Sequence, residues 1–254
     1  MSLDDLLAGW PVSHAAAIRV GDTTLETSGD IDRPFELASV TKLITAMVAL
    51  VAHEEGTLPL DLPIGEKRAT PADLLAHSTG TRRNYSTDAY DDVADAIAHQ
   101  AEMPFATYAA EAILQPLAMT STTIAGSAGA GAWASVRDLL ALTTAWRSPI
   151  LIHEDTLARA TSPHRPELDG LLPGYGRQSP NLWGLGPEIR GHKWPHWTST
   201  HNSPTTFGHF GQSGTMIWID PVNNVTCIAL ADHPFGPWAI DAWPPLSDYA
   251  LGVS

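Results

Sequence analysis

Residues 15–29, AAAIRVGDTTLETSG, alternate apolar or β-branched positions with polar ones on either side of Gly21-Asp22, which predicts two short strands joined by a tight turn. At Ser39 the period changes. The run SVTKLITAMVALVAHEEG is largely apolar over a length too great for one strand, so it predicts a helix that Gly56 closes and that must be buried on most sides. Pro71 opens a second short helix, PADLLAHSTG, expected to end at Gly80. Residues 88–102 place Tyr90, Val93 and Ile97 on one helical face. Two further helices are expected over 104–117 and from Ser135 to about Trp146, the latter with Ser135 and Asp138 in capping positions. Residues 149–204 lose periodicity and read as long loops with short strands, of the kind that wall a cleft. Residues 214–220 and 225–230 then form an antiparallel pair about the turn 221–224. Residues 239–252 carry a helical pattern that Pro244 and Pro245 oppose.

Helices in the middle and hairpins at both ends predict an α+β fold, with an antiparallel sheet built from both termini, flanked by helices, and a helical lobe inserted between. The 254 residues, 44% apolar and without an internal repeat, suit a single domain over 1–254. Its sheet lobe would take about 1–60 and 180–254, and its helical lobe about 61–179.

Composition narrows the partners. With 28 acidic against 14 basic residues and a net charge of −14, the chain offers no cationic face for nucleic acid; Lys67-Arg68 and Arg82-Arg83 are too sparse. The single cysteine, Cys227, allows no internal disulfide and sits among Val225, Thr226, Ile228 and Ala229 like a strand-core thiol. Asp4 and Asp5 stand where a secretory signal needs cations, and no apolar run reaches the length of about 18 residues that spans a bilayer. A cytoplasmic chain without a membrane partner is the expectation.

The sharpest chemical feature is Ser39-Val40-Thr41-Lys42. A spacing of three on a helix brings a lysine amine within reach of a serine hydroxyl. A serine needs such a base, and a lysine acts as one only where burial or neighbouring charge lowers its pKa. The apolar run desolvates Lys42, and the helix N-terminus sets backbone N–H groups beside Ser39. The same four residues also describe an N-cap serine with a solvated lysine, so neighbouring motifs must decide.

Six segments in order supply them: 35–42 (FELASVTK), 74–80 (LLAHSTG), 85–90 (YSTDAY), 103–119 with its PLAM turn, 131–139 (GAWASVRDL), and Gly208-His209-Phe210-Gly211 before Ser213-Gly214-Thr215. Together they resemble the class C β-lactamase and D-Ala-D-Ala carboxypeptidase family of serine hydrolases, which includes esterases and shares the S-x-x-K signature. The resemblance implies a β-lactamase/transpeptidase-like fold and an acyl-enzyme on Ser39. It casts Lys42 and Tyr85 as proton carriers, Tyr85 requiring a nearby cation such as Lys42 to lower its pKa. His209, where many relatives have lysine, would orient the substrate's carboxylate or carbonyl and help tune Tyr85. The backbone of Ser39 and Gln212 would form an oxyanion hole, with Thr87, Gly211 and Ser213 also at the substrate and Gly211 permitting close approach.

Two departures stand out. Thr87 replaces the asparagine of the family's Y-x-N segment, trading a carboxamide for one hydroxyl. Only residues 81–84 separate Gly80 from Tyr85, so part of the usual pocket wall must be absent or supplied from residues 170–204.

His192, His196 and His201 invite a metal reading, but no helix-borne ligand spacing accompanies them. Trp183, Trp194, Trp197 and Trp218 suit either an apolar cleft or core packing. No glycine-rich phosphate loop follows a strand. The expectation is a cofactor- and metal-free serine hydrolase on small acyl substrates: esterase or acyl hydrolase first, then β-lactamase or D-amino-acid peptidase. The alternative is a non-catalytic penicillin-recognising module.

Overall fold

A computed structural model describes residues 2–65 and 68–253; Lys67, half of one cationic pair noted above, lies outside the described residues. The chain opens with a short helix that periodicity did not suggest, α1 (Leu3–Leu7). Ser2 Oγ accepts the Asp5 N–H at 3.1 Å and the Asp5 carboxylate accepts the Ser2 N–H at 2.8 Å, a reciprocal cap. The expected hairpin follows as β1 (His14–Val20) and β2 (Thr23–Gly29). After β3 (Phe35–Glu36) the apolar run divides: Ser39 sits in a 3₁₀ turn, Ala38–Val40, and the α-helix α2 begins only at Thr41 (Thr41–Glu54).

The next helix, α3 (Pro71–Leu75), stops short of Gly80 because His77 takes a left-handed backbone, φ 55°, and the Ser78 N–H turns back to the Asp73 carbonyl at 2.8 Å. Two helices match their expected positions, α4 (Asp88–Ala101) and α5 (Phe105–Ala109), the latter continuing through a wider π turn at Ala110–Leu114. A small sheet then forms from β4 (Thr123–Ile124) and β5 (Ala132–Ala134) with β3. In α6 (Val136–Arg147) Ser135 Oγ caps the Asp138 N–H at 3.2 Å, but the Asp138 carboxylate serves Ser121 and Thr122 instead, so the cap is one-sided.

The irregular stretch contains a helix not expected there, α7 (Glu154–Ala160), and the short strands β6 (Gly170–Leu172), β7 (Gly176–Gln178) and β8 (Glu188–Ile189). β9 (Phe207–Gly211), β10 (Thr215–Asp220) and β11 (Val225–Ala231) complete the strands. The tail is a helix after all, α8 (Pro237–Ala250), with Pro244 and Pro245 inside it. Its buried stripe of Ala239, Trp243, Leu246 and Ala250 packs on the sheet. That burial outweighs a proline cost of about 3 kcal/mol.

The main sheet runs β2-β1-β11-β10-β9-β8, antiparallel throughout, so both chain ends do build it. Strand alternation sorts its residues into two cores. Ala15, Ala17, Ile217, Ile219, Ile228 and Leu230 face α2, α4 and α6. Ala16, Ile18, Met216, Trp218, Cys227 and Ala229 face α1 and α8. Because both faces are covered, β10 and β11 are buried along their whole lengths. Helix α2, with twelve consecutive buried residues from Thr41 to Ala52, threads the larger core and carries Lys42 into it. Among the described residues no helix is long and apolar enough to cross a membrane.

Candidate active site

The turn bearing Ser39 is held by the β9–β10 hairpin. Ala38 takes a left-handed backbone, φ 44°, a conformation that non-glycine residues adopt at a cost of roughly 1–3 kcal/mol when the surroundings impose it. The imposing contacts are visible. Thr215 Oγ1 donates to the Leu37 carbonyl at 2.9 Å and Ser213 Oγ to the Glu36 carbonyl at 2.7 Å, pinning the turn to β9 and β10. A Cβ on Gly211 would overlap the Leu37 carbonyl oxygen and come within 2.5 Å of Thr215 Oγ1. Gly211 therefore brings the strand against the Ser39 turn, and the Ser213 hydroxyl donates to the backbone of that turn.

Lys42 is fully buried one turn into the core, its Nζ 3.5 Å from Ser39 Oγ, 3.4 Å from Thr87 Oγ1 and 2.8 Å from the Gly129 carbonyl. Burial lowers its pKa to about 7, with the Asp91 carboxylate opposing the shift. Thr87 stands at the start of α4 and faces Lys42. Gly129 can sit close because a Cβ there would meet Thr87 O at 2.8 Å and Thr87 Cγ2 at 2.9 Å.

Tyr85 lines the same cavity as Ser39, and its ring lies 4.8 Å from Lys42 Nζ. Its phenol is pushed well above the ordinary range by burial, the nearby Ser39 side chain only partly offsetting this. The Glu188 carboxylate acts in the same direction as burial, since an anion nearby disfavours the phenolate. His209 is 3% exposed, and its pKa is lowered to about 3 by burial first and by Lys42 second, so it is a neutral ring at pH 7. A neutral imidazole lining the cavity can orient a substrate only by hydrogen bonding, not as a charge.

Ser39, Tyr85, His209 and Gln212 open onto one small cavity of about 60 Å³, walled further by Leu172, Pro173 and Trp183. The last three come from the irregular stretch. Gln212 sends its amide Nε2 to the Phe235 carbonyl at 3.4 Å.

A family model described as Beta-lactamase matches residues 9–246. The chain belongs to the Beta-lactamase family. A beta-lactamase from Mycobacterium bovis is 43% identical, with a TM-score of 0.95 and coverage of 98% of this chain and 97% of that one. A penicillin-binding protein from Bacillus halodurans shares the fold at 14% identity, TM-score 0.76, over 94% and 96% of the two chains. A Salmonella gallinarum protein bearing a D-alanyl-D-alanine carboxypeptidase name is 36% identical over 76 residues, which are 28% of this chain and only 17% of that relative.

Within this Beta-lactamase-family site, several residues went unread in the sequence. Gly129 holds Lys42, and Asp91 builds the turn that presents it, accepting from the Ala128 N–H at 2.7 Å and from Ser127 Oγ at 2.9 Å. The cluster of small residues at 128–132 was the available signal. His77, quoted only as part of a motif, lies buried beneath Tyr85, ring centroids 4.6 Å apart, and accepts the Ser86 N–H at 3.3 Å on Nδ1.

Glu188, also lining the cavity, is buried and shared by three donors: Lys193 at 2.5 Å, His196 at 3.1 Å and the Trp197 indole. Two of the histidines that invited a metal reading are thus occupied apart, His196 by Glu188 and Thr198, and His201 by Asp248 at 2.8 Å. Trp183 walls the cavity, whereas Trp197 and Trp218 are core residues and Trp194 is two-thirds exposed. Arg83 is buried and donates to the carbonyls of Ala76, His164, Arg165 and Asn181, a staple for the loops rather than a cationic surface.

Proposed function

We propose that this member of a serine-hydrolase superfamily is an acyl hydrolase acting on small ester-like substrates through an acyl-enzyme on Ser39. The observation that carries the reading is the buried Lys42 amine 3.5 Å from Ser39 Oγ with a pKa brought to about 7. A neutral amine has two N–H donors and one lone pair. The Gly129 carbonyl, which can only accept, takes one donor, and Thr87 Oγ1 suits the other. The lone pair is left for the Ser39 proton.

As Ser39 Oγ attacks the carbonyl carbon, its proton passes to Lys42, and the developing oxyanion is received by the backbone N–H groups of Ser39 and Gln212. Collapse breaks the bond to the leaving alkoxide, which takes up a proton through the Lys42–Tyr85 pair, Tyr85 acting as a phenol that stays protonated. Water then cleaves the acyl-serine to the acid and regenerates Ser39. The small volume of the cavity favours small acyl groups, hence esters ahead of β-lactams or D-amino-acid peptides.

The test is hydrolysis of p-nitrophenyl acetate by the wild type and by the Ser39→Ala and Lys42→Ala variants. Wild-type turnover that falls by about 10³-fold or more in each variant supports the reading. Equal residual rates in all three, or no turnover at all, would leave a recognition module without chemistry.

A further inference from the structure

His209 is oriented by one bond. Its Nδ1 lies 2.7 Å from the Phe210 carbonyl oxygen, which can only accept, so Nδ1 carries the proton and Nε2 carries a lone pair. Among the described residues that buried Nε2 has no hydrogen-bond partner, although His209 lines the same cavity as Ser39. The ring packs against Tyr85 at 6.0 Å and Trp183 at 5.4 Å between ring centroids.

The cations nearby are already spent. Lys193 gives its three donors to Glu188 at 2.5 Å, the Leu182 carbonyl at 2.8 Å and the Ile189 carbonyl at 2.7 Å. Lys42 is committed to Gly129, Thr87 and Ser39. None of the described residues lining the cavity is a lysine or arginine, while Glu188 contributes a carboxylate. A substrate carboxylate entering here would be desolvated beside an acceptor nitrogen with no free cation among the lining residues to receive it, whereas a hydroxyl or N–H would satisfy an orphaned acceptor.

We infer that the cavity selects an uncharged acyl group bearing a hydroxyl or N–H that donates to His209 Nε2, and rejects acyl groups bearing a carboxylate. This rests on the acyl-hydrolase reading above and names the substrate class for it. The test compares kcat/KM of the wild type for the p-nitrophenyl esters of hydroxyacetate, methoxyacetate, propionate and hemisuccinate, each divided by its rate with hydroxide. Methoxyacetate matches the inductive effect of hydroxyacetate without the donor.

The expected order places hydroxyacetate about tenfold or more above methoxyacetate and propionate, with hemisuccinate about 100-fold or more below propionate. In His209→Phe, which keeps a ring and removes the acceptor, the hydroxyacetate advantage should collapse to a ratio of about one. Should that variant fail to fold, the wild-type ratios decide alone. Ser39-dependent turnover with no hydroxyacetate advantage, or with hemisuccinate as fast as propionate, overturns the selectivity while leaving the hydrolase standing. Absence of Ser39-dependent turnover with every ester overturns both.

Discussion

At Lys42, three contacts and a buried position turn an ordinary cation into a base near neutrality. The reactive form is the deprotonated one, so kcat/KM for a neutral ester should fall as pH drops through about 7. Asp91 holds that pKa up, since its carboxylate favours the ammonium. Asp91→Asn keeps an acceptor for the Ala128 N–H while removing the charge. Its acid limb should therefore lie at lower pH than the wild type's, and an unshifted or raised limb in a pH–rate profile would refute the assignment. Thr87→Val removes one Lys42 partner at nearly constant volume, a hydrogen bond worth roughly 0.5–1.5 kcal/mol. A three- to tenfold loss in kcat/KM, about that energy, is expected with little change in thermal stability. The approach of Lys42 to Ser39 was legible because their spacing of three is local, whereas Tyr85 could be named only from the resemblance of its segment to a family motif. The neutral state of His209 was not, for its tautomer is set by a bond to the next residue's carbonyl and its pKa by packing.

Among the elements, the contact between β9 and the Ser39 turn is the one on which geometry turns. Gly211→Ala would drive a methyl into the Leu37 carbonyl and Thr215 Oγ1, neither of which can yield without moving the turn. Such overpacking costs roughly 1–3 kcal/mol, and displacing the nucleophile should cost more in rate than in stability. A loss of about tenfold or more in kcat/KM beside a modest fall in Tm is expected; paired steady-state kinetics and thermal melts would show it. The periodic helices α2, α4 and α6 were legible from their apolar spacing. The helix α7 was not, being seven residues capped by a histidine side chain. The proline-bearing α8 was discounted because local propensity cannot weigh the tertiary face that Trp243 and Leu246 bury.

For the whole molecule, the sheet divides the core in two and the site lies where the larger half meets the strand edge. The buried α2 carries Lys42 and β9 carries His209, while the irregular 149–204 stretch contributes Leu172, Pro173, Trp183 and Glu188 to the cavity wall. The assembly of the sheet from both termini could be read from hairpins at the two ends of the sequence. Which loop would reach the cavity could not, since Leu172, Trp183 and Glu188 reach it only through long-range packing. Membership of the Beta-lactamase family over residues 9–246 fits this arrangement.

The most direct measurement is the intact mass of the protein after brief exposure to an activated ester and, separately, to a penicillin, with Ser39→Ala alongside. The account predicts a wild-type adduct of one acyl group from the ester, mapping to Ser39 and missing in the variant, with little or none from the carboxylate-bearing penicillin. An ester adduct that persists in Ser39→Ala, or one that maps to another residue, would contradict it.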